Sequence, residues 1–143
     1  MGTCGIDAVA ATVALAMLSA PPAAADSTLV LYEHDTFQQQ ADGQYLFAGD
    51  VFDRPGGMFL GTASGSCTDL TDHNTVCNAT LNLAGGQLVV QGTDDMEASD
   101  THPLTVLGGT GIHQNAAGAG TVQIPQDVPD QADANFVLNL TSG

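Results

Sequence analysis

Two carboxylic acids, Glu33 and Asp35, stand two residues apart in the segment LVLYEHDTF. Alternate residues of an extended strand share a face, so Leu29, Leu31, Glu33 and Asp35 point the same way. The leucines turn that face towards a core, which sets the two acids at the mouth of an apolar space. Crowded, desolvated carboxyls resist ionising together, so one of them can keep a proton near neutral pH, as a cyclisation or isomerisation requires. Asp35 and Glu33 are the candidate catalytic residues; the competing reading is a pair of acids in water at a strand end. Tyr32 and Tyr45 either offer phenol hydroxyls to a ligand or pack half-buried on their strands. Arg54 is the one Lys or Arg of the chain and precedes Pro55-Gly56-Gly57, a turn. It serves either as a rim salt bridge or as a ligand clamp.

Other chemistries find little support. His34, His73, His102 and His113 fall in separate segments without the spacing of a zinc site, so neither a metal nor a cofactor is expected. The acids of the loop TDDMEASDTH (Asp94, Asp95, Glu97 and Asp100) lack calcium-loop spacing and read as a solvated loop. Gly-Gly-Thr-Gly at 108–111 opens no helix, so it marks a tight crossing of the chain and not a phosphate cradle. Asn78-Ala-Thr80 and Asn139-Leu-Thr141 fit the glycosylation acceptor pattern. Sixteen acidic residues against a single cation give a formal charge of −15, which excludes nucleic acid and anionic membrane surfaces as partners.

The elements that must position these groups are strands. From Ser27 onward, short period-2 apolar runs alternate with Gly, Asp, Asn and Pro, and no stretch shows helical periodicity. Eight strands are predicted, over 28–35, 44–53, 58–70, 74–83, 86–93, 103–108, 117–124 and 133–141. A tight turn at Thr71, Asp72 and His73 sets Cys67 opposite Cys77. It also pairs Gly65 with Ala79, Ala63 with Leu81 and Gly61 with Leu83 on the same inward face. Eight antiparallel strands close into a barrel or stack as a sandwich. The small inward residues Gly61, Ala63, Gly65 and Ala79 favour a barrel with unfilled interior space.

The first 25 residues are of another kind. An apolar run over 8–20 leads to Pro21-Pro22 and three alanines, a signal-peptide pattern, although the segment before the run lacks Lys and Arg. The run is shorter than the ~20 residues a spanning helix needs. The expected organisation is a signal peptide over 1–25 and one domain over 26–143, secreted, with no membrane segment after cleavage. Cys4 departs with the signal, and Cys67 and Cys77 remain to form a disulfide in an oxidising compartment.

Four segments, in order, resemble dirigent proteins: LVLYEHDTF, GTASGSC, NATLNLAGGQLVVQG and PLTVLGGTGIHQNAAGAG. The last resembles the family's Val-x-Gly-Gly-Thr-Gly-x-Phe-x-x-Ala-Arg-Gly signature. The resemblance, shared with allene oxide cyclases and small bacterial barrel proteins like them, implies an all-β, eight-stranded antiparallel barrel with a hydrophobic cavity, assembling as a homodimer or homotrimer. A secreted bacterial member is the nearest type. His113 stands where the signature has Phe and is carried as a ligand contact; Gln114 and Ala117 stand where cations are common. Of the acid and arginine thought to hold a phenolic intermediate in dirigents, only the acid has a counterpart, Asp35, which argues against phenoxy-radical coupling. The expected function is binding of a small hydrophobic ligand, with its cyclisation or isomerisation an open question. The alternative is a non-catalytic secreted module with a closed core.

Overall fold

The computed structural model describes residues 27–71, 74–94, 100–124 and 133–141. The expected signal peptide, Asp72 and His73 of the predicted turn, and most of the acidic loop lie outside them. Eight strands follow one another: β1 (Ser27–Ala41), β2 (Gln44–Phe52), β3 (Phe59–Asp69), β4 (Thr75–Leu83), β5 (Gly86–Asp94), β6 (Thr101–Gly109), β7 (Ala117–Gln123) and β8 (Ala134–Thr141). Each pairs antiparallel with the next, and β8 returns to β1, closing a barrel. The sandwich alternative is thereby excluded. At the seam Ser27 pairs with Leu140 and Glu33 with Ala134.

The hairpin of β3 and β4 has the register that the sequence predicts, with Cys67 facing Cys77, Gly65 facing Ala79 and Gly61 facing Leu83. A disulfide joins the two cysteines, whose Cα atoms are 4.0 Å apart.

β1 is longer than expected, and it is not regular. Asp35 pairs with Gly49 but Phe37 pairs with Ala48, so Thr36 is an extra residue, a β-bulge. Odd-numbered residues face inward up to Asp35. Beyond the bulge the even-numbered ones do, Gln38 opposite Phe47 and Gln40 opposite Tyr45, while Phe37 is turned outside.

The interior has two halves. At the end where β1 starts, Leu31, Val51, Leu81, Leu88, Val106 and Leu138 pack into a dry core, four of them with no exposed surface. This end is closed by the segment after β6. There Thr110 N–H donates to Gln87 O and Ile112 N–H to Gly85 O, each at 2.9 Å, beside a short 3₁₀ turn at Gly111–His113. The crossing needs glycine: a Cβ on Gly86 would meet Thr110 O at 2.0 Å, and one on Gly111, at φ +60°, would meet Gly85 O at 2.2 Å. The other half, towards the Asp42–Gly43 turn, is hollow.

Candidate functional site

The hollow half encloses a cavity of about 760 Å³. Its wall is apolar over much of its extent, with Phe47, Ala79, Val90, Leu104, Val122 and Phe136 among the lining residues. The disulfide forms part of the wall, both cysteines facing the space. Only one of the four small residues expected to open this space, Ala79, lines it. The Phe47 ring lies over Gly65, where a Cβ would meet its Cζ at 2.6 Å, and Ala63 and Gly61 belong to the packed half. The volume comes chiefly from the width that an eight-stranded barrel encloses.

Glu33 and Asp35 both line the cavity. Glu33 is 2% exposed, and its Oε2 has no hydrogen-bond partner; Asp35 Oδ1 is buried and likewise without one. Space for the Glu33 carboxyl is made across the β1–β2 ladder, where a Cβ on Gly49 would meet Oε2 at 2.1 Å and His34 O at 2.3 Å. Burial is the largest influence on Glu33, followed by a hydrogen bond to Asp35 and the charges of Asp35, Asp133 and Asp50. Together they push its pKa up to about 10. The direction of the shift favours the protonated form of Glu33 at neutral pH. Water at a strand end, the competing reading, does not describe it.

Asp35 is oriented by neighbours on both sides. Gln38 Nε2 donates to its Oδ2 at 3.1 Å, and Tyr45 Oη donates to the same oxygen at 3.4 Å. The bulge makes the first of these bonds possible by turning Gln38 inward. Tyr45 also stacks on Phe47, with centroids 6.0 Å apart. Its phenol is held up to about 12, by burial first and then by Asp35.

Asp133, just before β8, was not singled out by the sequence. It accepts from Tyr32 Oη, from the Asp35 N–H at 3.2 Å, and lies 3.1 Å from His34 Nδ1. Burial alone would raise its pKa, but the hydrogen bonds from Tyr32, His34 and the Asp35 N–H outweigh it and hold the carboxyl below the usual range. Asp133 thus ties β8 to β1 immediately behind Asp35. Ninety-eight residues separate the two partners, and only the closed barrel brings them together.

Three candidates leave the site. Tyr32 alternates with the inward residues, so it faces outward, bonded to Asp133 and packed near Phe52 with centroids 6.4 Å apart. Arg54 follows β2 and is exposed at the closed end, because β2 runs away from the mouth. His113 borders a separate shallow depression at that closed end, with Leu29, Ile112 and Leu140. Of the predicted ligand contacts, only Tyr45 lines the cavity. Among the described residues no group of three or more His, Cys, Asp or Glu could hold a metal ion, and no helix is long and apolar enough to cross a membrane.

The fold is a closed eight-stranded antiparallel meander with a cavity at one end. Among solved structures the chain is similar to a pyocyanin demethylase, at 23% identity and TM-score 0.66, covering 80% of this chain and 100% of that one. It is similar also to two pterocarpan synthase dirigent proteins. One matches at 14% identity and TM-score 0.67 over 80% of this chain and 86% of that one, the other at 15% and 0.59 over 80% and 92%. These likenesses show the fold. No protein-family model and no curated protein matches the chain.

Proposed function

We propose that this protein is a secreted barrel that holds one small hydrophobic molecule in the cavity, with Glu33 and Asp35 handling the proton of a cyclisation or isomerisation. The observation that carries the reading is the buried, proton-bearing Glu33 in the wall of an otherwise largely apolar cavity of about 760 Å³. That volume lies within the range of small-molecule sites. A closed structural module would need the mouth half filled with side chains. Pyocyanin demethylase and pterocarpan synthase, by their names, act on small molecules, which is in keeping with the reading. Secretion is supported by the signal-like segment over 1–25 and by the disulfide.

Chemically, Glu33 gives its proton to an acceptor atom of the bound molecule while Asp35, steadied by Gln38 and Tyr45, takes one from a neighbouring position. The ligand's atoms are conserved, and the pair ends with the proton count it began with. The low-dielectric wall strengthens both transfers by excluding water.

Titration with the neutral fluorophore N-phenyl-1-naphthylamine tests the cavity. Saturable one-to-one binding is expected, weakened about tenfold or more by Ala79→Phe, which fills the wall. Absence of saturation, or unchanged binding to the folded variant, would overturn the proposal.

A further inference from the structure

The charge that the described residues bring to the cavity is all of one sign, beside neutral polar groups such as Gln40, Thr75 and Asn78. Among the described residues, its ionisable lining side chains apart from Tyr45 are Glu33, Asp35 and Asp69, and none is a Lys, Arg or His. Arg54 lies at the opposite end of the barrel. Two carboxyl oxygens, Glu33 Oε2 and Asp35 Oδ1, are buried there and receive no hydrogen bond from any group outside the acid pair. Buried acceptors left unmatched are costly, and a ligand that donates to both removes that cost. A ligand carboxylate, phosphate or phenolate would instead face acids with no cation to offset them.

Resting on the reading of the cavity as a small-molecule site, we infer that its ligand class is the lipophilic base: an aromatic or alicyclic molecule carrying one amine or basic ring nitrogen, bound with its N–H between Glu33 and Asp35. The apolar wall of Phe47, Val90, Leu104 and Phe136 takes the ring system. Tyr45, stacked on Phe47, extends the flat face on which an aromatic ring lies. A protonated nitrogen N–H donates to Glu33 Oε2 and to Asp35 Oδ1, the two oxygens that lack partners, while Gln38 and Tyr45 keep the second oxygen of Asp35 occupied. The chain's formal charge of −15 adds a long-range attraction for cations that speeds encounter.

A proton balance follows. Free protein carries the Glu33 proton; an ammonium ligand arrives with its own, and a positive charge between the carboxyls favours their ionised forms. Glu33 gives up its proton to solvent, so one proton is released per amine bound near neutral pH, and for such a ligand its own ammonium N–H takes the place of Glu33 as the proton source. The groups around the pair are Tyr45, Gly49 and Asp50 on β2, His34 on β1, Asp133 before β8, Asp69 on β3 at the mouth, and the buried His102 on the inner face of β6. Asp50, His34 and Asp133 lie towards the outer side of the wall. No Lys or Arg is among them.

Calorimetry with three probes of matched shape tests the inference: 1-naphthylmethylamine, 1-naphthalenemethanol and 1-naphthoate, at pH 7 in phosphate and in Tris. The amine is expected to bind about tenfold or more tightly than the alcohol and the carboxylate more weakly than both. The difference in heat between buffers should report about one proton released for the amine and none for the alcohol. In 0.5 M salt the amine's advantage should persist, since a buried contact is screened little. Glu33→Gln, and separately Asp35→Asn, should bring the amine-to-alcohol affinity ratio towards one. An alcohol that binds as well as the amine overturns the inference and leaves the small-molecule site standing, whereas absence of binding by all three overturns both. An amine preference that survives in the two folded variants, or vanishes in salt, assigns the effect to surface charge and also overturns the inference.

Discussion

The two halves of the barrel are built from the same eight strands and solve opposite problems. At the closed end Val51, Leu81, Leu88 and Leu138 are fully buried, and the 85–87 and 109–112 segments cross over them, joined by backbone hydrogen bonds. At the mouth the inward positions hold Gln38, Gln40, Tyr45 and the acids, around a space that the wall does not fill. Stability by packing is concentrated in one half. The other half is held by the ladder, the Cys67–Cys77 bond and the Asp133 tether, and so it can carry a buried acid and unmatched oxygens. The separation shows how a small barrel supports a destabilising site: the site lies one layer above the core that holds the fold.

The sharpest way to break that contrast is a pair of matched truncations. Leu138→Ala, in the packed half, is expected to cost about 3–5 kcal/mol, and Leu104→Ala, in the cavity wall, nearer 2 kcal/mol, because the second removes contacts that are already incomplete. Equal losses in chemical denaturation would mean that the halves are not energetically distinct. Next in size is the disulfide. Replacing both cysteines with alanine should cost about 2–3 kcal/mol at most, since the bond spans only 10 residues. The loss should appear in guanidinium denaturation with the barrel still formed.

The remaining effect is the most specific to the mouth. Glu33 binds its proton more tightly in the folded than in the unfolded chain, so stability declines as pH rises between the ordinary value of 4.5 and about 10. Melting at pH 5 and at pH 9 should show the wild type losing about ten degrees or more beyond what Glu33→Gln loses, since the glutamine side chain does not titrate. Asp133 works in the opposite sense. Its lowered value adds stability above the ordinary carboxylate range that is lost as pH falls through its folded value. A wild type whose melting temperature is no more sensitive to high pH than the variant's would contradict a buried, proton-bearing Glu33.

Much of this was legible in the residues themselves. The spacing of Cys67, Cys77 and the turn between them fixes the β3–β4 register without further information, and Leu29, Leu31, Glu33 and Asp35 declare their common face by parity. Parity also places Tyr32 on the other face, so its assignment as a ligand contact conflicted with the same rule. Arg54 was legible in part: it follows a strand that runs away from the mouth. The Thr36 bulge was not, because no glycine or proline marks it, and the extra residue shows only against the β2 partner. Nor was Asp133, whose role depends on a contact across the barrel seam from a segment with no apolar pattern.

The seam itself has a consequence for how the molecule is made. Every other pairing joins strands consecutive in the chain, so the meander can zip up through local hairpins, whereas Ser27 meets Leu140 only when the two ends of the sheet find each other. The entropic cost of long-range loop closure is concentrated in that one event, which is where a slow folding step is expected. Glu33 and Asp35 sit on the strand that waits for it. Until β8 docks, the wall that buries Glu33 is incomplete, so the chain acquires its buried acid and its finished topology in the same moment.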